Sequence, residues 1–500
     1  MAQISITNLT FSYDGNHNNV FEGFSAAFDS RWKLGLVSRN GRGKTTLLKL
    51  LTGQLTTNSG VISLPRNLTP VLFPPEVDTG TQETALSVIE GIMPGLETWK
   101  LYRELSYLDT DNALLDQSFC TLSPGEQGRI LLASLFAGDD SYVLLDEPGN
   151  HLDTEGKDIL TRYLTDKKSF LLVSHERALL DKVTDHTMAL LKSGSEIVAG
   201  EYHVWAEHRK NIENFERAEN QRLEKEISIL AASGKQSKAW GEKGHRESRK
   251  ADGLPKMGFK EYNRAKAAKL ERRAIHAERR KEKAAQDKSK LLKDIEETAE
   301  LKMSPMDFHK DIYIDAVNLH LAFEEKVLME NVTFQLRQGD RLCLAGGNGT
   351  GKSTLLKLIA GNAPQALKMC GSLHIAKGLK ISVLPQKSEL PDLSLMDYIL
   401  QRDAEPSKVM MLLRKMDFPR EVFDGVVSSY SSGQKRKLLI AMSICEEAHL
   451  YLWDEPLNYL DIQSREQVED LILEAQPTMI FAEHDSYFRS TVSSVTLVAP

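Results

Sequence analysis

Gly346–Thr354, GGNGTGKST, is the stretch on which the fold turns. It follows the run Arg341–Ala345 and precedes Leu355–Ile359, so a glycine-rich loop stands between a strand and a helix. Glycines at such a corner let successive backbone N–H groups converge on phosphate oxygens, helped by the positive end of the helix that follows. From there Lys352 reaches the β- and γ-phosphates of a nucleotide and the Ser353 hydroxyl ligates Mg²⁺, while Asn348, Gly349, Gly351 and Thr354 complete the cradle. A glycine-rich turn with a chance lysine is the alternative, and what lies elsewhere in the chain argues against it.

A second such string, SRNGRGKTT, occupies Ser38–Thr46. Lys44 and Lys352 are 308 residues apart, and the same spacing joins Ser123 to Ser431, Asp146 to Asp454, Glu147 to Glu455 and Asp153 to Asp461. His175 and His484 are 309 apart, Tyr13 and Phe323 310 apart. One spacing shared by so many elements is a tandem duplication. The expected organisation is α/β, with P-loop ATPase domains over 1–207 and 303–500 and a linking segment over 208–302. In the first copy Ser38 replaces the leading glycine, while Asn40, Gly41, Gly43, Lys44, Thr45 and Thr46 remain. A serine held at negative φ leaves that loop able to work.

Each copy then carries an apolar strand ending in acid, YVLLDEP (Tyr142–Pro148) and LYLWDEP (Leu450–Pro456). The first carboxylate, Asp146 or Asp454, suits the Mg²⁺ shell. The second, Glu147 or Glu455, is placed to polarise an attacking water as general base. A lone Asp-Glu pair at a strand end means little; at a fixed distance after a phosphate loop it weighs heavily. His175 in LLVSHE and His484 in IFAEHD end further apolar strands, where an imidazole could contact a γ-phosphate. LSPGEQ (Leu122–Gln127) and YSSGQK (Tyr430–Lys435) read as helix starts with a capping box, Ser123 with Glu126 and Ser431 with Gln434. Pro124 sits where a first helical turn tolerates it. Serine, Gly125 or Gly433, and a helix N-terminus together make an anion site, although each taken alone is a helix cap.

The 500 residues hold 63 Lys and Arg against 70 Asp and Glu, a net charge of −7 that argues against a uniformly basic nucleic-acid coat. No apolar run approaches the ~20 residues that span a bilayer. The start, MAQISITNLTFSYDG, lacks the basic-then-apolar layout of a secretory leader. Cys120, Cys343, Cys370 and Cys445 form no CxxC pair, which excludes a disulfide framework or a cysteine-rich metal site. A cytoplasmic location is expected; an integral transporter, a secreted protein and an iron–sulfur ATPase are not.

The charge is unevenly spread. Arg209–Lys302 holds 26 Lys and Arg against 17 Asp and Glu, a net of +9, which leaves −16 for the rest. Arg209–Ala232 and Tyr262–Leu301 are rich in helix formers and carry spaced apolar residues such as Leu223, Ile227, Leu270 and Ile275. Ser233–Lys260 holds five glycines and Pro255. This pattern predicts two antiparallel helices with a non-helical tip near 233–260; a solvated charged linker is the plainer alternative.

With both loops, both acidic strands and both serine-glycine caps present, the chain resembles the ATP-binding-cassette superfamily over nearly all of both halves. That resemblance implies ATP and Mg²⁺, hydrolysis to ADP and phosphate, and a monomer whose cassettes pack head to tail. Site one would join Lys44, Thr45, Asp146, Glu147 and His175 with Ser431 and Gly433. Site two would join Lys352, Ser353, Asp454, Glu455 and His484 with Ser123 and Gly125. Tyr13 and Phe323 match the family's adenine-stacking aromatic, and Gln386 in VLPQ matches its Mg²⁺-contacting glutamine. The first copy has Pro75 in VLFPP instead, a departure that sets the two sites apart.

Two cassettes, no membrane segment and a basic linker are similar to the ABC-F group of soluble ATPases that act on ribosomes. Acidic cassettes would be repelled by RNA, whereas a local net of +9 is an electrostatic footprint for it. Near the tip, Trp240, His245, Phe259 and Tyr262 lie among Lys243, Arg246, Arg249, Lys250, Lys256 and Lys260. Such aromatics can stack on unpaired bases or equally pin the two helices together. The phosphate-loop lysine precedes the cap serine by 79 residues in both copies, so no inserted arm is expected in the first cassette. The chain runs 16 residues past His484, and no C-terminal extension is expected.

WKLGLVSRNGRGKTTLL, LYLWDEPLNYLD and PTMIFAEHD are similar to the Lsa- and Vga-like antibiotic-resistance branch of that group. The resemblance implies protection of the bacterial ribosome. The ATP form would enter the tRNA exit site, extend the tip past the peptidyl site toward the peptidyl-transferase centre and displace lincosamides, pleuromutilins and streptogramin A. Hydrolysis would release it. A housekeeping translation factor without a drug role is the alternative. A transporter subunit would need a membrane partner, and a DNA-repair ATPase would carry a longer coiled coil inside one cassette.

Overall fold

The computed structural model describes residues 3–13, 19–139, 141–150, 152–191, 194–212, 301–323, 326–386, 389–419 and 422–498, and, within the linker, 214–216, 218–220, 222–223, 225–226 and 228–229. The chain forms two compact units, Met1–Trp205 with Thr298–Pro500, and Ala206–Glu297. The first unit contains both cassettes. Among the described residues of the second, those assigned are helical. The tip residues Lys243, Arg246, Arg249, Lys250, Lys256, Phe259 and Lys260 lie outside the described residues, as does the second half of the linker up to residue 300. Leu301, read from the sequence as linker, is buried with Met303 in the core of the second cassette.

Each cassette is built on two sheets. In the first, β1 (Gln3–Phe11) lies between β2 (Phe21–Asp29) and β4 (Ser59–Ser63), all antiparallel. The larger sheet uses β3 (Lys33–Val37), β5 (Thr69–Phe73), β6 (Ser141–Asp146), β7 (Phe170–Val173), β8 (His186–Leu191) and β9 (Gly194–Ala199). Its order is β5-β6-β7-β3-β8-β9, parallel except for the last pair. The second cassette repeats this with β10 (Ile312–Phe323) between β11 (Lys326–Arg337) and β13 (Leu367–Ile375). Its larger sheet, from β12 (Arg341–Ala345), β14 (Ile381–Leu384), β15 (Leu450–Asp454), β16 (Met479–Ala482) and β17 (Val495–Val498), is parallel throughout in the order β14-β15-β16-β12-β17.

The central strands are continuous apolar runs rather than alternating ones, as a parallel sheet covered on both faces requires. All five residues of LYLWD in β15 are buried, and Trp453 is the bulkiest of the fully buried side chains. Helix α1 (Lys44–Leu51) presses Leu47, Leu48 and Leu51 into the core formed with Leu34, Leu144 and Phe28. The counterpart in the second cassette, Lys352–Ile359, does so with Leu355, Leu356 and Ile359 against Leu342, Leu452 and Phe334. At about 1.5–3 kcal/mol per buried leucine, this packing fixes where each phosphate loop stands. Among the described residues no helix is long and apolar enough to cross a membrane.

The duplication extends to backbone irregularities. Asn8 and Asn318 both adopt left-handed φ, at 51° and 49°, where the register of the antiparallel sheets shifts. Opposite them stand Gly60 and Gly371, at φ 93° and 91°. A Cβ on Gly371 would lie 2.2 Å from the Asn318 carbonyl oxygen, a backbone atom that cannot swing away. Gly371→Ala is therefore expected to destabilise the chain by about 1–3 kcal/mol, read as a lowered midpoint in thermal unfolding.

Candidate functional site

The phosphate loops end at Gly43 and Gly351, which precede their helices at φ 86° and 88°. A Cβ there would meet Val20 at 2.6 Å and Leu328 at 2.9 Å, so both conformation and space demand glycine. Lys44 Nζ donates to the Ser38 carbonyl at 3.0 Å, and Lys352 Nζ to the Gly346 and Gly347 carbonyls at 2.9 and 2.6 Å. Ser38 is not among the residues with left-handed φ, whereas Gly346 is at φ 152°. Burial lowers the pKa of both ammonium groups, an effect opposed by nearby carboxylates.

The acids stand beside the loops. Thr45 Oγ1 donates to Asp146 Oδ2 at 2.6 Å, and Ser353 is hydrogen-bonded to Asp454 in the same way. Burial pushes both aspartates above their ordinary range. Glu147 and Glu455 both adopt left-handed φ, 52° and 48°. Each is held there by its N–H, which donates across the sheet to the Val173 carbonyl at 2.9 Å or the Ala482 carbonyl at 2.8 Å. Non-glycine residues in this region cost about 1–3 kcal/mol, and such strain gathers at functional sites. The turn aims each glutamate at its histidine: His175 Nε2 lies 3.3 Å from Glu147 Oε1 and His484 Nε2 4.0 Å from Glu455 Oε1. Burial raises Glu147 to about 7 and drives His175 well below its ordinary value and His484 to about 4, so both imidazoles are neutral at neutral pH.

The serine-glycine caps open α2 (Pro124–Ala137) and the helix Ser432–Cys445, each with a reciprocal capping box. The two cassettes face each other across two cavities. One, of about 590 Å³, brings Tyr13, Asn40, Gly41, Gly43, Lys44, Thr45, Thr46, Asp146, Glu147 and His175 together with Ser431 and Gly433. The other, of about 760 Å³, brings Asn348, Gly349, Gly351, Lys352, Ser353, Thr354, Gln386, Glu455 and His484 together with Ser123 and Gly125. Asp454 is buried behind Ser353. Tyr13 Oη is 2.9 Å from Thr46 Oγ1.

The structure does not bring Phe323 into this arrangement. It ends β10 with 39% of its surface exposed and lies outside the cavity wall, where Lys326 and Leu328 of β11 stand instead. Gln386 Nε2 donates to Glu455 Oε1 at 2.6 Å, and Asn458 Nδ2 to Glu455 Oε2 at 2.5 Å. Pro75 offers no such donor and does not line the first cavity.

Other residues of the site were not singled out from the sequence. Asp461 Oδ2 accepts from Asn40 N at 3.1 Å and Asp153 Oδ2 from Asn348 N at 3.4 Å, so each crosses to the other cassette's phosphate loop. Their shared spacing was the signal. Burial alone would raise Asp461, but Lys437 and the N–H groups of Ser464 and Asn40 hold it far below the usual carboxylate range. Buried Arg436 donates to the carbonyls of Pro385, Asp454, Glu455 and Pro456, tying the cap helix to the acidic strand; its counterpart in the first copy is Gly128. Arg465 lines both cavities and is paired with Asp485 at 3.1 Å.

A fold of two P-loop domains, with each loop facing the other's serine cap, defines a tandem-cassette nucleotide hydrolase. Residues 21–150 and 329–458 each match the ABC transporter family, and the chain belongs to that family; its two cassettes make it an ATP hydrolase. Over nearly its whole length it is similar to the ribosome protection protein VmlR of Bacillus subtilis (strain 168), at 27% identity over 99% of this chain and 86% of that one. The ATP-binding protein Uup of Caulobacter vibrioides is 28% identical over 96% and 74%, and the ABC transporter F family member 5 of Arabidopsis thaliana 26% over 95% and 72%. Among solved structures, the archaeal ribosome recycling factor aABCE1, in complex with the stalk protein aP1, shares the fold with a TM-score of 0.62 at 19% identity, over 98% of this chain and 87% of that one.

Glu147→Gln and Glu455→Gln are each expected to silence one site. The double variant should lose about 10²–10⁴-fold of its hydrolysis while still binding ATP, as read by phosphate release and by nucleotide retention.

Proposed function

We propose that the chain is a cytoplasmic ABC-F ATPase that binds the bacterial ribosome in its ATP form, extends its linker tip toward the peptidyl-transferase centre and protects against lincosamides, pleuromutilins and streptogramin A bound there. Hydrolysis drives its release. The observation that carries this reading is the charge layout: a linker of net +9 joins two cassettes that together carry the opposite sign. Such a segment is attracted to RNA phosphates and the cassettes are not. Similarity to a protein named for ribosome protection over nearly the whole chain supports the same reading. Identity to Uup is as high as to VmlR, 28% against 27%, which keeps a translation factor without a drug role as the second reading.

In this scheme one ATP occupies each cavity. The phosphate-loop N–H groups and Lys44 or Lys352 hold its phosphates, and the cap helix of the opposite cassette presents Ser431 or Ser123 to the γ-phosphate. Glu147 or Glu455 takes a proton from the attacking water, and the neutral His175 or His484 holds the γ-phosphate in line. Thr45 with Asp146, and Ser353 with Asp454, are hydroxyl–carboxylate pairs in which the acid is half-buried or buried and lacks a full counter-charge, a donor set that fits Mg²⁺. The ion would be held there, with Gln386 joining at site two, and would neutralise charge on the phosphate oxygens.

The Glu147→Gln/Glu455→Gln variant is expected to co-sediment with bacterial ribosomes when ATP is present. Its expression partner, the unaltered chain, should raise the growth-inhibiting concentration of the three drug classes and leave an aminoglycoside unaffected. Absence of ribosome binding would overturn the reading; binding without protection would select the translation-factor role.

A further inference from the structure

The two histidine loops are held by different means. At site two the loop is fixed within its own cassette: Glu483 Oε1 accepts from His484 N at 2.7 Å and Asp485 N at 3.3 Å, while Glu483 Oε2 accepts from Leu457 N at 3.1 Å. The counterpart of Glu483 at site one is Ser174, whose short side chain accepts only from Glu176 N, at 3.1 Å. Within its own cassette that loop has His175 N donating to Glu147 Oε2 at 3.4 Å and Lys157 Nζ paired with Glu176 at 2.8 Å, and Arg177, two residues past His175 at the start of α3 (Arg177–Val183), adds an anchor outside it.

Arg177 is 8% exposed and reaches into the other cassette. Its Nη2 is paired with Glu469, its Nη1 lies 3.5 Å from Glu466 Oε1, and its guanidinium stands 4.0 Å from the ring centre of Tyr487. Glu466 and Glu469 belong to the helix Ile462–Ala475, whose cap Asp461 accepts from the site-one phosphate loop at Asn40 N. Tyr487 stands three residues past His484. The duplication provides an internal control: in register, Arg177 corresponds to Ser486, Tyr487 to Ala178 and Glu469 to Thr161. Glu466 corresponds to Asp158, so the mirror position keeps one acid but has no cation and no aromatic ring from which to build the same contact.

We propose that Arg177 is a positioning residue for site one alone, a latch that seats the His175 loop on the second cassette and so holds His175 and Glu147 in register with the cavity that cassette closes. Site two closes its histidine loop from within through Glu483; site one lacks that carboxylate and adds a contact to the partner cassette. The proposal rests on Glu147 and His175 acting at site one. A buried arginine that reaches two glutamates and also stacks on a ring is geometrically exacting, and lysine cannot reproduce all of these contacts.

The test uses the full chain in two backgrounds, Glu455→Gln, in which site one turns over, and Glu147→Gln, in which site two does. Adding Arg177→Ala should lower kcat at site one by about ten- to a hundredfold with little change in KM for ATP, and leave site two within about twofold. The exchange Arg177→Glu/Glu469→Arg should restore a substantial part of site-one turnover, while Glu469→Arg alone should not. Equal losses at both sites would reduce Arg177 to general interface packing and overturn the proposal, as would no loss at either. Complete loss in Glu455→Gln before Arg177 is changed would instead overturn the assignment of Glu147, and the latch with it.

Discussion

The nucleotide sites depend on two carboxylates that serve both cassettes at once. Asp153 Oδ1 caps its own helix through Gly156 N at 3.0 Å, and its other oxygen accepts from Asn348 N. Asp461 caps its helix through Ser464 N at 2.8 Å, and its other oxygen accepts from Asn40 N. A hydrogen bond to a charged group is worth about 1.5–3 kcal/mol, but here its geometry matters more than its energy. A carboxylate fixed by its own helix can receive the opposite phosphate loop in only one orientation. That orientation sets each serine cap across from the other cassette's lysine. The crossing is tighter at site one, where Asp461 is buried and Lys437 lies 3.5 Å away.

What the two copies share and what they do not follows from how replaceable each part is. A phosphate loop needs left-handed glycine for its backbone, whereas the acidic strand needs its glutamate and the cap helix its serine for the side-chain groups they present to the cavity. The support around them is freer. Site two holds Glu455 with Gln386 and Asn458, ties the strand end to the cap helix through Arg436 and locks its histidine loop with Glu483. Site one keeps Asn150 opposite Asn458 but has Pro75, Gly128 and Ser174 at the other three positions, and adds the contact of Arg177 with the second cassette.

This division also explains what could be read from the sequence. The cassettes and their order were legible because spacing repeats and each motif has a local physical reason; the pairing of each loop with the opposite cap came only from the resemblance to the ATP-binding-cassette superfamily. Phe323 matched Tyr13 in the repeat, but Tyr13 lines its cavity whereas Lys326 and Leu328 of β11, not Phe323, line the other. Arg177 and Arg436 left no trace in the repeat, since each occurs in one copy only, whereas Arg465 paired with Asp485 has its counterpart in Lys157 paired with Glu176 and was overlooked because both residue types differ between the copies. Leu301 read as linker because its neighbours are charged, yet a single apolar side chain was enough to enter the core.

The electrostatics of the cavities point to the chemistry they accept. Burial alone disfavours every charge in them: it lowers Lys44 and Lys352, raises Asp146, Asp454 and Glu147, and keeps both histidines neutral. These charges are brought close together and relieve one another only in part. A polyphosphate entering with a divalent cation adds negative charge beside the lysines and positive charge beside the aspartates, so each buried group gains the counter-charge it lacks. The same exchange recruits the opposite cap helix, whose N-terminus is also drawn to negative charge. In the proposed scheme, binding the nucleotide and drawing the cassettes together would be one electrostatic event, and splitting off the γ-phosphate would remove the charge that links them.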